Sequence, residues 1–156
     1  GNFYQKIDQI FPKSKYILTV RDSEKWFESL CNFHLIYFRK MGMNFKNIAE
    51  VKKEHIKKFN WIKEGYYYNY TKKFWVSELK DNQVIYDWNL LYDKDHYIYV
   101  YEKRNEEIQR YFQKKKEDLL VFNVSENKDI LKILDFLNMS KDLNFNLPYE
   151  LKSNYE

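Results

Sequence analysis

Two short apolar runs constrain the fold of this chain more than any other feature of its sequence. Residues 16–20 read YILTV and residues 119–122 read LLVF, so neither run alternates strictly between apolar and polar side chains. Such runs are typical of strands that are covered on both faces in a parallel sheet. Helical patterns separate the two runs and follow each of them, which predicts an α/β fold with right-handed crossovers.

Several segments place apolar residues at helical spacing, and capping residues, proline or glycine mark most of their ends. The predicted helices are residues 2–11, a second one that Asp22 or Ser23 caps and that ends near Gly42, residues 45–59, residues 94–115, and a last one that Ser125 or Asn127 opens and that runs through Leu137. The expected apolar stripes are Phe3, Ile7, Ile10 and Phe11 in the first helix, Trp26, Leu30, Phe33 and Tyr37 in the second, and Tyr97, Tyr101, Ile108 and Phe112 in the longest.

The stretch from residue 60 to residue 94 has the weakest pattern. Within it, residues 74–79 and 83–88 flank Lys80, Asp81 and Asn82, which predicts a β-hairpin with a short turn. No repeat or linker divides the chain, so residues 1–156 are expected to form a single domain.

Charge and cysteine content exclude several classes of protein. The net charge of +4 is mild and the acidic residues are interspersed with the basic ones, which favours a small anionic ligand over duplex nucleic acid. Cys31 is the only cysteine, so no intrachain disulfide can form. The apolar runs are far shorter than a membrane span and no signal peptide is visible, so a soluble, cytoplasmic protein without membrane partners is expected.

Residues at the ends of the two strands are the first candidates for a site. Ligands of parallel sheets bind beyond the carboxyl ends of the strands, which places Arg21 and Ser125 at the functional edge. Arg21 also precedes a helix that carries Ser29. A guanidinium, a hydroxyl and a helix N-terminus together suit a phosphate monoester, although an arginine in this position also fits a structural ion pair.

A family resemblance strengthens this interpretation. Residues 11–30, FPKSKYILTVRDSEKWFESL, resemble the 3′-phosphate motif of PAPS-dependent sulfotransferases, in which an arginine closes a strand and a serine follows eight residues later. Arg21 and Ser29 stand at that spacing. Residues 101–138 are similar to the later helix–strand–helix of the same family, so the two blocks cover about half of the chain in the expected order.

The resemblance implies a three-layer, P-loop NTPase-like fold and transfer of a sulfuryl group from 3′-phosphoadenosine 5′-phosphosulfate (PAPS) to a hydroxyl or amine. The acceptor would be a small molecule or a glycan, and neither a metal nor a nucleic acid is implied. Arg21 and Ser29 would hold the 3′-phosphate of PAPS. Tyr101 matches a tyrosine near the adenine, although it fits equally well as one more core aromatic.

The sequence departs from the family in two places. Ser23 stands where the family usually has proline, which still permits a helix to start. The glycine-rich phosphate-binding loop with its lysine is missing, because none of Gly1, Gly42 and Gly65 lies between a strand and a Lys-Ser or Lys-Thr pair. The chain is therefore expected to be truncated at its N-terminus, to lack the first strand of the fold, and to be inactive alone.

No catalytic residue is assigned. Histidine is the expected general base, yet His34, His55 and His96 lie in segments that do not match the family's base, so each is expected to be half-buried or on the surface. A group of central aromatic residues is expected to fill the core or to form a wall for a glycan or phenolic acceptor. These residues are Trp61, Tyr66, Tyr67, Tyr68, Tyr70, Phe74 and Trp75.

Two alternative functions stay open at this point. In another P-loop-type transferase, such as a nucleotide or small-molecule kinase, Arg21 would contact a nucleotide phosphate. In a non-catalytic module, the aromatic and basic central region would bind single-stranded nucleic acid by stacking. The oligomeric state and the acceptor are not indicated by the sequence.

Overall fold

The computed structural model describes residues 3–59, 62–125 and 130–140. Its α-helices are α1 (Phe3–Ile10), α2 (Ser23–Lys40), α3 (Lys53–Lys58), α4 (Tyr66–Phe74), α5 (Lys94–Tyr111) and α6 (Ile130–Phe136), and its strands are β1 (Tyr16–Val20), β2 (Ser77–Lys80), β3 (Gln83–Tyr86) and β4 (Leu119–Asn123). Short 3₁₀ helices cover Ile48–Glu50, Trp88–Leu90, Phe112–Lys114 and Lys116–Asp118. Within the described residues, no helix is long and apolar enough to cross a membrane.

The chain divides into two compact units. The sheet unit consists of residues Gly1–Asp22 and Glu102–Glu156, and the helical unit consists of Ser23–Tyr101. In the sheet unit, β1 and β4 pair in parallel, with Tyr16 opposite Leu119 and Val20 opposite Asn123. This pairing confirms the predicted α/β class with a parallel sheet and reproduces both predicted strands almost residue for residue.

The sheet is only partly covered in the described part of the chain. Phe122 of β4 is buried, as is Phe112, which contacts Tyr16 of β1, whereas Ile17 is 40% exposed and Val121 is 42% exposed. Helix α1 also packs differently from an ordinary amphipathic helix. Its predicted apolar stripe faces outward, with Phe3 71% exposed, while Asp8 on the other side is buried.

Aromatic rings build the core of the helical unit. Phe59 is 1% exposed, and its ring centroid lies 4.3 Å from that of Tyr67, 4.5 Å from that of Tyr37 and 4.8 Å from that of Phe38. The buried face of α2 is displaced by one residue from the predicted stripe, and Phe33 of that stripe is 49% exposed. The residues of α2 that are buried are Phe27, Cys31, His34 and Phe38.

The predicted helix over residues 45–59 is wrong in its extent. Asn47 caps a single 3₁₀ turn by accepting a hydrogen bond from the N–H of Ala49 at 3.0 Å. Val51 then adopts an extended conformation with φ −72° and ψ 126°, which buries its side chain to 3% exposure. The α-helix α3 begins only at Lys53. At its start, the side chain of His55 accepts a hydrogen bond from the N–H of Lys52 at 2.9 Å.

The predicted hairpin is confirmed, although its strands are shorter than expected. Strands β2 and β3 pair in antiparallel with Lys80 opposite Gln83, and Asp81 and Asn82 between them have φ values of 50° and 61°. Two consecutive positive φ values are characteristic of the type I′ turn that fits the twist of a hairpin. Helix α4 was not predicted, and it begins directly after Gly65, whose φ is 69°.

The longest predicted helix is observed as α5, followed by a 3₁₀ turn, and its stripe is confirmed because Tyr97, Ile108 and Phe112 are buried. The last predicted helix is observed from Ile130. Asn127, one of its two candidate capping residues, lies outside the described residues.

Candidate functional site

Strands β1 and β4 end side by side, as their sequences predict. The N–H of Val124 donates to the carbonyl of Val20 at 3.0 Å, which extends the parallel ladder by one residue. Arg21 and Ser125 therefore follow their strands at the same edge of the sheet. The side chain of Asn123 accepts the N–H of Ser125 at 2.9 Å, which forms an Asx turn at this edge.

Arg21 occupies the junction between β1 and α2. It follows the last residue of β1 and lies two residues before Ser23, the first residue of α2. The side chain is half-buried and its Nε atom is buried. Burial of part of a guanidinium reduces its mobility, which suits a group that must hold a ligand in one geometry.

Ser29 lies on α2, six residues after the helix begins, and is half-buried. Six residues correspond to about 9 Å along a helix axis. Arg21 belongs to the sheet unit and Ser29 to the helical unit. Their convergence on one phosphate stays a prediction.

Tyr101 is stacked on Trp26. The ring centroids are 4.3 Å apart and the planes are inclined by 13°. Trp26 precedes Ser29 by three residues on α2, and residues at this spacing are neighbours on a helix surface. The structure therefore brings Tyr101 to the part of α2 that carries Ser29.

This stacking also limits what Tyr101 can do. Trp26 covers one face of its ring, so a ligand base could contact only the opposite face or the ring edge. Trp26 itself was predicted only as part of an apolar stripe. Its position three residues before Ser29 is the signal in the sequence that could have marked it as part of the site.

His34 is buried in the helical unit, contrary to the expectation that it is half-buried or exposed. The hydroxyl of Tyr92 lies 3.0 Å from its Nδ1, and the hydroxyl of Tyr67 lies 3.2 Å from its Nε2. Burial lowers the pKa of His34 to about 4 and raises the pKa of Tyr67 to about 12. The imidazole is therefore neutral at pH 7 and buried among aromatic side chains, which suits a structural role better than proton transfer to solvent.

His55 and His96 are half-buried, as expected, and each has a structural partner. His55 accepts the N–H of Lys52 at the start of α3. The Nε2 of His96 lies 2.9 Å from the carbonyl oxygen of Trp75, so this nitrogen carries the proton that it donates. No histidine is thereby identified as the general base.

The central aromatic residues divide between core and surface. Tyr67 is buried, and Trp75 stacks on the buried Tyr97 with centroids 4.5 Å apart, so core filling is confirmed for both. Tyr66 is 36% exposed and Tyr68 is half-buried. Trp61 lies outside the described residues.

A buried carboxylate in the sheet unit was not expected from the sequence. Asp8 accepts hydrogen bonds from the ammonium of Lys115 and, at 2.7 Å, from the hydroxyl of Tyr111. The hydrogen bond from Lys115, followed by that from Tyr111, lowers the pKa of Asp8. These bonds attach α1 to the last residue of α5 and to the segment after it, which indicates a structural role.

A pocket of about 560 Å³ lies beside β4 in the sheet unit, and Arg21 and Ser125 are not among its lining residues. It is lined by Gln109, Arg110, Phe112, Gln113, Lys116, Leu119 and Val121. No group of three or more histidine, cysteine, aspartate or glutamate side chains that could hold a metal occurs in the described ranges.

Comparison with known proteins adds one match. The family model described as the sulfotransferase domain matches residues 1–148. The match includes both blocks of sequence, residues 11–30 and 101–138, in which the resemblance was recognised. No curated protein and no solved structure matches the chain significantly.

Proposed function

Since the chain belongs to the sulfotransferase domain family, we propose that it uses PAPS as the donor and transfers its sulfuryl group to a hydroxyl or amine of an acceptor. The observation that carries this proposal is the position of Arg21. It follows β1 at the edge where β1 and β4 end together, and only Asp22 separates it from α2.

The groups that we propose as ligands of the 3′-phosphate are all hydrogen-bond donors or carry positive charge. The Arg21 guanidinium can donate two parallel hydrogen bonds to phosphate oxygens, the Ser29 hydroxyl can donate one, and the N-terminus of α2 carries partial positive charge. Such a set fits a doubly charged ester group. PAPS carries this group on its 3′-oxygen and ATP does not, so we infer that these residues select the donor.

Tyr101 and Trp26 support the same proposal. A tyrosine that is held by a stacked tryptophan loses little additional freedom when a base packs against it, which favours binding. We infer that the adenine of the donor contacts the Tyr101 ring on the side opposite Trp26. PAPS would supply the activated sulfuryl group, and the residues named here would bind and orient the donor.

The proposal is tested by product formation in the full-length protein. We expect release of adenosine 3′,5′-bisphosphate from PAPS that depends on an added acceptor, and no release of ADP from ATP. Arg21→Ala should reduce the first reaction by about 100-fold at low donor concentration, since charged hydrogen bonds are each worth about 1.5–3 kcal/mol. Arg104→Ala, an exposed charge on α5, is the matched control. Turnover of ATP instead of PAPS would favour a kinase and overturn the proposal.

A further inference from the structure

Positive charge is concentrated in one segment of the helical unit. Residues 45–74 contain eight lysines and three glutamates, an excess of five positive charges in 30 residues. The whole chain has 27 basic and 23 acidic residues, so outside this segment 19 basic residues stand against 20 acidic ones. The entire positive excess of the protein therefore lies in the segment that contains α3 and α4.

Two of these lysines are held against a pair of aromatic rings. Tyr68 of α4 stacks on Trp88, with centroids 5.2 Å apart and planes inclined by 12°. The ammonium of Lys53 lies 5.2 Å from the centroid of Trp88, and that of Lys57 lies 5.7 Å from the centroid of Tyr68. Lys53 and Lys57 are four residues apart, so they share one face of α3. We call these four residues the lysine–aromatic cluster.

In the described part of the chain, no carboxylate forms an ion pair with a lysine of the cluster. Among the described residues, neither Lys53 nor Lys57 takes part in a salt bridge, whereas Lys15, Lys94 and Lys115 each do. The rings of Tyr68 and Trp88 are half-buried and Lys57 is exposed. A cation above an aromatic ring keeps its hydrogen-bonding capacity toward an incoming anion.

The geometry of the rings favours one class of anion. Each ring has the other ring on one side and an ammonium near it, so bases of single-stranded nucleic acid cannot use both faces as a stacking platform. An acidic sugar does not need a free ring face, because its carboxylate or sulfate groups pair with the ammoniums while its C–H groups contact the ring edges. Neutral sugars would leave the two lysine charges unused.

We propose that the lysine–aromatic cluster binds an acidic glycan, one that carries carboxylate or sulfate groups. This binding does not depend on the proposed donor site, because all four residues of the cluster belong to the helical unit and none of them is a proposed donor ligand.

Binding to the full-length protein without donor tests the proposal. We expect a heparin hexasaccharide or a hyaluronan hexasaccharide to bind, which distinguishes sulfate from carboxylate recognition, and cellohexaose not to bind. Lys53→Gln/Lys57→Gln should weaken binding at least 10-fold. Lys6→Gln/Lys114→Gln, which removes the same charge from two exposed sites of the sheet unit, should change it less than twofold.

Three results would overturn the proposal. The first is an equal loss of hexasaccharide binding in the two double variants. The second is binding of cellohexaose as tight as that of the acidic hexasaccharides. The third is equally tight binding of a single-stranded oligothymidylate of the same charge. Thermal unfolding checks that both double variants are folded. Arg21→Ala separates the two proposals, because it should weaken donor binding by about 100-fold and leave hexasaccharide binding unchanged.

Discussion

Trp26 and Tyr101 are 75 positions apart in the sequence, yet their rings lie almost parallel at 4.3 Å in the helical unit. This contact joins α2 to α5 near Ser29. One face of the Tyr101 ring therefore packs against Trp26, and the opposite face is the one that the proposed contact with adenine would use.

The stacked pair leads to a prediction about nucleotide selectivity. Tyr101→Leu should weaken binding of adenosine 3′,5′-bisphosphate and of 5′-AMP by the same factor, about 5–10-fold, because both share the adenine and an aromatic contact is worth about 1 kcal/mol or more. Tyr101→Phe should bind both normally. Isothermal calorimetry measures the two affinities. A loss confined to the bisphosphate would show that Tyr101 contacts the 3′-phosphate and not the base.

His34 predicts a pH dependence of stability. Its folded pKa of about 4 lies below the ordinary value of 6.5, so the unfolded state binds the proton more readily. The stability that depends on the neutral imidazole is fully present above pH 6.5 and is lost as the pH falls toward 4. The free energy of unfolding should decrease by up to about 3 kcal/mol over this range.

A matched variant isolates the contribution of His34. His34→Gln cannot titrate but retains a polar group near Tyr67 and Tyr92, so its urea-derived free energy of unfolding should change less between pH 7 and pH 4.5 than that of the wild type. Identical pH dependence of the two proteins would contradict the account of this cluster.

Asp8 is expected to stabilise the attachment of α1. Asp8→Asn removes the carboxylate that accepts hydrogen bonds from Lys115 and Tyr111, and it leaves the Lys115 ammonium without its counterion. The Tm should therefore fall by several degrees. Because the pKa of Asp8 is lowered, this stabilisation is present at neutral pH and is lost as the pH falls through the folded pKa. Glu102→Gln, at an exposed position of α5, is the control. A Tm loss that was equally large at pH 2 would argue against an ionised carboxylate as its source.

The hairpin turn offers a stabilising substitution. Asn82 has a φ of 61°, which glycine adopts at lower cost, so Asn82→Gly should raise the free energy of unfolding by about 0.5 kcal/mol. Asn82→Val should lower it, since a β-branched residue is strained at positive φ. Urea denaturation distinguishes the two. Stabilisation by valine would be incompatible with a type I′ turn.

The elements with the strongest local signals were the ones that the sequence predicted well. Strands β1 and β4 are short apolar runs, and α2 and α5 have long amphipathic patterns with clear ends. Arg21 could be placed because its position depends only on where β1 ends.

Other features depend on contacts that no local pattern reports. Three consecutive tyrosines at the start of α4 obscured its helical period, because tyrosine suits both core and surface. The outward stripe of α1 accompanies the ion pair of Asp8 with Lys115, which is 107 residues away in the sequence. His34 is buried because Tyr67 and Tyr92 supply its partners, and neither tyrosine is near it in the sequence.

The most direct test of the central claim is the ratio of two dissociation constants, for 5′-AMP and for adenosine 3′,5′-bisphosphate, measured on the full-length protein. If Arg21 binds the 3′-phosphate, the wild type should prefer the bisphosphate by about 100-fold and Arg21→Ala should reduce that preference to nearly onefold. An unchanged ratio in Arg21→Ala would contradict the assignment of this arginine to the donor site.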